Sequence, residues 1–113
     1  MTAGQLYDGC VRYVARGDRP PEPDDVAEVT CEVNVAALQA TEAVYAAVRE
    51  AEPSQPDPRT FCPPESVARD GDALGRAMAQ AFIDYIDRNP TSRTSTDDLF
   101  ERAVTEKWPC PRR

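Results

Sequence analysis

Four cysteines are the residues of this chain best suited to a specific chemistry. Cys10, Cys31, Cys62 and Cys110 are separated by 21, 31 and 48 residues, and no C-x-x-C pair occurs. An even number of widely spaced cysteines in a short chain favours two disulfides in an oxidising compartment. The alternatives are a zinc site built from all four cysteines and buried free thiols in a cytosolic protein.

Catalytic chemistry has few candidates among the other residues. The chain contains no His, which excludes histidine catalysis and His-ligated metal sites. Asp84 and Asp87 could form an acid–base pair at i, i+3 on a helix, although solvated carboxylates are commoner at such positions. The five glycines are scattered and form no phosphate-binding loop. We therefore expect a protein that is not an enzyme and that uses neither a metal nor a cofactor.

The size and charge of the chain argue against nucleic acid and membranes as its partners. The chain has 113 residues, and its 13 basic and 20 acidic side chains give a net charge of −7. We expect one domain over residues 1–113. An acidic domain is a poor ligand for nucleic acid, since phosphate contacts need Lys and Arg. No apolar run approaches the roughly 18 residues of a membrane span, so membrane insertion is not expected.

The negative charge is concentrated between residues 18 and 32. This stretch contains six acidic residues and one basic residue, Arg19. The acidic residues are Asp18, Glu22, Asp24, Asp25, Glu28 and Glu32. One interpretation is a solvated loop followed by a helix start. The other is an acidic surface that steers a basic protein partner.

These residues must be positioned by helices, because the apolar periodicity predicts four helices and almost no strand. The first covers residues 3–16 and stops at Gly17. The second covers residues 25–51, is capped by Asp24 or Asp25, and is rich in Ala. It carries an apolar stripe that is either a self-association face or internal core: Val29, Val33, Ala36, Ala37, Ala40, Val44, Ala47 and Val48.

Prolines divide the rest of the chain. Five prolines between residues 52 and 66 predict a stiff loop without regular structure. A third helix is expected from about residue 70 to 88, followed by a short polar loop over residues 91–94. The fourth helix is predicted to start at Ser95 or Thr96 and to stop at Pro109. The expected fold is all-α: a compact bundle of about four helices with two disulfides.

The helix order also favours one cysteine pairing. The end of the first helix returns toward the start of the second, which brings Cys10 near Cys31. The third and fourth helices form an antiparallel hairpin, which brings Cys62 near Cys110. We favour these two bridges over the two other connectivities.

A polar loop at the tip of that hairpin is the candidate contact for a protein partner. It comprises Arg88, Asn89, Pro90, Thr91, Ser92, Arg93 and Thr94. A loop held on a rigid base is a common binding device. A plain connector between two helices is the alternative.

Three short motifs in the C-terminal half carry a family resemblance. They are the F-C-x-P of Phe61-Cys62-Pro63-Pro64, the Y-x-x-x-x-P from Tyr85 to Pro90, and the P-C-P of Pro109-Cys110-Pro111. In this order and spacing the chain resembles the Rap/Tai immunity proteins of type VI secretion systems. Leu6-Tyr7 followed by Cys10 resembles the opening of that family. The likeness covers about residues 4–111 and is specific over 61–111.

The resemblance implies a small, exported, all-helical, disulfide-linked and often dimeric protein. Its relatives act in the periplasm, where they bind and block a peptidoglycan amidase effector. One motif differs, because the family's C-x-G-Y-I-x-G run is replaced by Cys31-Glu32-Val33-Asn34-Val35-Ala36-Ala37. The first residues show no signal peptide, so for an exported protein we expect the printed sequence to be the chain without its leader. The alternative function is that of a small periplasmic stress protein or chaperone.

Overall fold

Helices account for almost all regular structure in this protein. The computed structural model describes residues 1–111, and no β-strand occurs within that range. The elements are α1 (Ala3–Ala15), α2 (Val26–Ala51), α3 (Glu65–Ala68), α4 (Gly71–Arg88), a 3₁₀ turn (Pro90–Thr94) and α5 (Phe100–Lys107). The all-α prediction with two disulfides is confirmed.

The helix ends follow from local side-chain chemistry. Asp25 caps α2 by accepting a hydrogen bond from the Glu28 backbone N–H at 3.0 Å, and Asp70 caps α4 through the N–H groups of Asp72 and Ala73. These carboxylates satisfy amides that have no partner within the helix. The chain leaves α1 through Gly17, whose φ of 61° is the left-handed conformation that glycine adopts most easily.

Helix α4 is the centre of the hydrophobic core. Its apolar face is buried as the periodicity predicts, and it packs against α1, α2, α3 and α5. The rings of Phe82 and Phe100 stack with centroids 5.4 Å apart and join α4 to α5. Phe61 is also fully buried, which ties the proline-rich loop to the core. Burial of one such side chain contributes about 1.5–3 kcal/mol to folding.

Helix α1 crosses the start of α2 in close backbone contact at Gly9. Gly9 is buried, and a Cβ atom at this position would overlap the backbone of Ala27 and Glu28. The next residue, Cys10, is bonded to Cys31 of α2. A side chain at position 9 would therefore force apart two helices that are covalently linked one residue away.

Both disulfides join the cysteines that the helix order pairs. Cys10 and Cys31 have Cα atoms 5.3 Å apart, and Cys62 and Cys110 have Cα atoms 5.0 Å apart. The Cys62 N–H also donates to the Trp108 carbonyl at 2.8 Å. The second bridge thus holds the end of the proline-rich loop against the end of α5.

Two predicted boundaries were wrong. The loop predicted for residues 52–66 ends early, because Glu65–Ala68 form the single-turn helix α3. The last helix begins at Phe100 rather than near Ser95. The Ser95 carbonyl accepts a hydrogen bond from the Ala3 N–H at 2.8 Å, so this segment is held against the start of α1, which Thr2 caps, instead of starting a helix.

The apolar stripe of α2 lies on the outside of the molecule. The three buried residues of α2 are Glu28, Cys31 and Val35, all in its first half. The stripe lies on the other side, where Val33 and Val44 are each 59% exposed. Of the two sequence interpretations, internal core is therefore wrong for this stripe.

The Gly9 crossing predicts a selective loss of stability. We expect Gly9→Ala to lower the free energy of unfolding by about 1–3 kcal/mol, since the added methyl group meets backbone that cannot move aside. Gly71→Ala is the matched control, because its Cβ would have no contact closer than 4.0 Å. Urea unfolding followed by circular dichroism measures both, and equal stability of the two variants would contradict the crossing.

The disulfides predict a second loss of stability. Reducing the protein, or replacing one cysteine pair by alanines, should lower the free energy of unfolding by about 3–4 kcal/mol per bridge, because each bridge restricts the unfolded chain. Urea unfolding with and without reductant measures this loss. Mass spectrometry of protein purified from an oxidising compartment should find no free thiol. Four alkylatable thiols in that material would contradict both bridges.

Candidate functional site

The loop predicted to contact a partner is an ordered turn. Residues Pro90–Thr94 form a 3₁₀ turn, where the sequence predicted a short polar loop over residues 91–94. Asn89 fixes its start, since the side-chain amide donates to the Tyr85 carbonyl at 2.9 Å. The Asn89 carbonyl in turn accepts from the Ser92 N–H and the Ser92 hydroxyl. Asn89 and Ser92 therefore shape the turn from within.

Arg93 attaches the turn to α1. Its guanidinium lies 4.2 Å from the centre of the Tyr7 ring and 3.9 Å from Asp87 Oδ1. The Tyr7 hydroxyl donates to the same Asp87 oxygen at 2.8 Å, which raises the pKa of Tyr7. Sequence analysis missed this cluster, because Tyr7 and Asp87 are 80 residues apart. Half-buried Arg93 thus has a structural role beside any contact role.

The structure exposes most of the predicted loop. Arg88, Asn89, Pro90, Thr91 and Thr94 are exposed, whereas Ser92 and Arg93 are half-buried. Arg88 lies 3.6 Å from Glu106 of α5, with both side chains more than half exposed. An ion pair this exposed contributes little to stability, so Arg88 can exchange it for a partner's group. The turn offers a small polar surface with one cation.

The acidic stretch divides into structural and exposed carboxylates. Asp25 pairs with Arg12, and Glu28 is buried with its Oε1 atom 3.6 Å from Arg16 Nη1. Glu32 also binds Arg16, at 2.9 Å. Only half of the six carboxylates are exposed, namely Asp18, Glu22 and Asp24. The candidate acidic surface is therefore limited to the loop before α2.

Arg16 lies at the rim of a cleft beside this acidic loop. The cleft encloses about 320 Å³ and is lined by residues of α1, α2, α4 and the loop, Tyr13, Glu32 and Arg76 among them. The Arg16 guanidinium lies 4.8 Å from the centre of the Tyr13 ring. Because Arg16 joins the end of α1 to Glu28 and Glu32 of α2, it fixes the two helices between which the loop with the exposed carboxylates lies.

The structure gives Asp84 and Asp87 separate contacts. Asp84 accepts a hydrogen bond from Gln80, whereas Asp87 accepts one from Tyr7. Residues 1–111 hold no cluster of three or more His, Cys, Asp or Glu side chains placed to bind a metal ion. Over the same residues, no helix combines the length and apolar character needed to cross a membrane.

No protein-family model, curated protein or solved structure matches the chain.

The contact between Arg12 and Asp25 predicts a pH dependence. The Arg12 guanidinium, helped by the Glu28 N–H, lowers the pKa of Asp25 from 3.8 to about 2. Because the pKa of Asp25 is lower in the folded protein than in the unfolded chain, its ionised form stabilises the fold at pH values above the unfolded-state pKa. That contribution is lost as the pH falls from about 4 toward 2. In Arg12→Gln the pKa of Asp25 should rise toward 3.8, so the variant should be less stable near neutral pH and should lose less stability between about pH 4 and pH 2.

NMR titration of the Asp25 carboxyl carbon and acid unfolding measure these two effects. Arg102→Gln is the control, since Arg102 is an exposed arginine of α5. An Asp25 pKa that stays near 2 in Arg12→Gln would show that the backbone hydrogen bond, and not Arg12, sets it.

Proposed function

We propose that this protein is an immunity protein of the Rap/Tai type, which binds a secreted peptidoglycan amidase and blocks its active site. The observation that carries the proposal is the convergence of the motifs that carry the resemblance. Cys62 of the F-C-x-P motif is bonded to Cys110 of the P-C-P motif, and Phe61 is buried beside them. The Y-x-x-x-x-P motif leads directly into the 3₁₀ turn. The shared residues thus build one helical hairpin and present its tip.

The tip suits inhibition by binding because it is ordered in advance. Asn89 and Ser92 fix the turn internally, and Arg93 fixes it to Tyr7 of α1. A partner that binds a rigid turn loses less conformational entropy than one that must order a flexible loop. Arg88, Thr91 and Thr94 are exposed there and supply one cation and two hydroxyls. In this proposal they enter or cover the catalytic cleft of the amidase.

The proposed place of action is the periplasm. Disulfides persist in oxidising compartments, which fits a protein that works outside the cytoplasm. With a net charge of −7, the chain would attract a basic effector through long-range electrostatics. The exposed carboxylates Asp18, Glu22 and Asp24 would contribute to that attraction.

A periplasmic stress protein or chaperone is the second candidate, and one observation favours it. The outward face of α2 is apolar over several turns, as a surface for unfolded clients would be. Such a protein would hold many unrelated clients at low pH, where its carboxylates are neutralised.

A pull-down from periplasmic extract, with the oxidised protein as bait, distinguishes the two candidates. The immunity proposal expects capture of a peptidoglycan amidase whose activity on cell walls falls to zero with one equivalent of bait. Capture of many unrelated proteins only at low pH, without inhibition of an amidase, would favour the chaperone.

The turn predicts which substitutions weaken amidase binding. Arg88→Glu with Thr91→Glu should raise the Kd at least about tenfold, because two carboxylates replace a cation and a hydroxyl at the contact. The melting temperature should change little, since both side chains are exposed. Arg69→Glu is the matched control, because Arg69 is 75% exposed and lies at the opposite end of α4. Equal amidase affinity of the wild-type protein, the double variant and Arg69→Glu would exclude the turn as the contact.

A further inference from the structure

The two disulfides differ in how far they are exposed to solvent. Cys10 and Cys31 are 0% exposed, whereas Cys62 and Cys110 are both partly exposed. Exchange with an external thiol requires that the thiol reach one of the two sulfur atoms. Cys10–Cys31 can meet a thiol only when α1 separates from α2, which the close backbone contact at Gly9 opposes. Cys62–Cys110 is therefore the bridge that a thiol can reach while the protein stays folded.

Cys62 lines a cleft of about 610 Å³ at the base of the α4–α5 hairpin. Pro109 and Pro111, which flank Cys110 in the sequence, line the same cleft. Its cationic lining consists of three arginines: Arg49, Arg59 and Arg69. Clefts of roughly 300–1,000 Å³ hold small organic molecules in proteins. The cleft thus has room for a small thiol compound beside the disulfide.

Two of these arginines are available to a ligand. Arg69 pairs with Glu65 at 3.0 Å, but the two side chains are 75% and 81% exposed. Arg49 is 45% exposed and lies 4.0 Å from Asp57. Ion pairs this exposed contribute little to stability, so a ligand's anionic group can replace the protein carboxylate in each. Arg59 is held more firmly, with its Nη2 atom 2.7 Å from Asp57.

The cleft favours an anionic ligand although the chain as a whole is acidic. Its lining combines the three arginines with two carboxylates, those of Glu42 and Glu65, whereas the chain has a net charge of −7. A guanidinium group binds a carboxylate through paired hydrogen bonds. A cation near a cysteine also stabilises its thiolate, the form that leaves when a disulfide is attacked. The arginines therefore suit a thiol that carries a carboxylate, and they assist the departure of the displaced cysteine.

We propose that Cys62–Cys110 is an exchange site for small thiols that carry a carboxylate. The thiolate of such a molecule attacks one sulfur of the bridge, a new S–S bond forms, and the Cys62–Cys110 bond breaks. The displaced cysteine leaves as a thiolate and takes a proton from water. A second molecule of the same thiol can then displace the first as a symmetric disulfide, which leaves both cysteines reduced. Arg49 and Arg69 hold the carboxylate during the first step.

Contacts other than the disulfide keep the protein folded when this bridge opens. Phe61 is 1% exposed, and the Cys62 N–H donates to the Trp108 carbonyl at 2.8 Å. These contacts also hold the proline-rich loop to the end of α5. The buried Cys10–Cys31 bridge continues to link α1 to α2. Exchange at Cys62–Cys110 therefore yields a modified, folded protein rather than an unfolded chain.

Mass spectrometry of the oxidised protein treated with 3-mercaptopropionate under native conditions tests this proposal. We expect a mixed disulfide at Cys62 or Cys110 to form at least about ten times faster than one at Cys10 or Cys31. Circular dichroism should show an unchanged helix content in the modified protein. Equal rates at the two bridges, or no adduct before the protein unfolds, would overturn the proposal.

Cysteamine, a cationic thiol, tests the role of the arginines. Arg49→Glu with Arg69→Glu should lower the rate with 3-mercaptopropionate, relative to the rate with cysteamine, at least about fivefold, because the carboxylate then meets like charge. Arg76→Glu with Arg102→Glu is the matched control, since it changes the net charge equally at exposed arginines outside the cleft. An equal change of this rate ratio in both double variants would overturn the carboxylate preference. Neither experiment uses the amidase, so their failure would leave the proposed amidase inhibition standing.

Discussion

The contact of α1 with the start of α2 is the constraint on which the rest of the structure depends. Gly9 allows the two backbones to touch, and the Cys10–Cys31 bridge locks them one residue further along. Arg12 binds Asp25, the N-cap of α2, and Arg16 binds Glu32 within α2. Once α1 is fixed in this way, its first turn lies against the 3₁₀ turn, where Tyr7 meets Arg93 and Asp87. Contacts in the middle and at the C-terminal end of α1 therefore fix the position of its N-terminal turns, which contact the candidate site.

The second disulfide stabilises the base of the C-terminal hairpin, whereas local contacts stabilise its tip. Cys62–Cys110 closes the end of the α4–α5 hairpin that lies away from the 3₁₀ turn. The hairpin tip then needs only local hydrogen bonds from Asn89 and Ser92, and the contact with Tyr7, to stay in place. This arrangement keeps exposed side chains such as Arg88 free of structural duties. A stable base with a small ordered tip is what inhibition by binding requires.

Much of the fold could be predicted because its signals are local. Asp70 precedes a periodic apolar pattern and marks a helix start, and Gly17 follows such a pattern and marks a helix end. The cysteine pairing follows from the antiparallel order of the helices. The errors arose where a distant contact overrides local preference. Ser95 would make a good helix cap, but its carbonyl binds the Ala3 N–H. The role of Arg93 depends on Tyr7, and nothing in the local sequence connects the two. The stripe of α2 was recognisable, but only the packing decides which way it faces.

In the proposed function, the ordered turn at residues 88–94 is the surface that blocks an amidase. Amide hydrogen exchange on the protein, free and in complex with the amidase, tests this proposal. The account predicts that exchange slows at the backbone amides of the 88–94 segment and of the neighbouring first turn of α1. Slowing confined to α2 or to the loop before it, with the turn unchanged, would contradict the account.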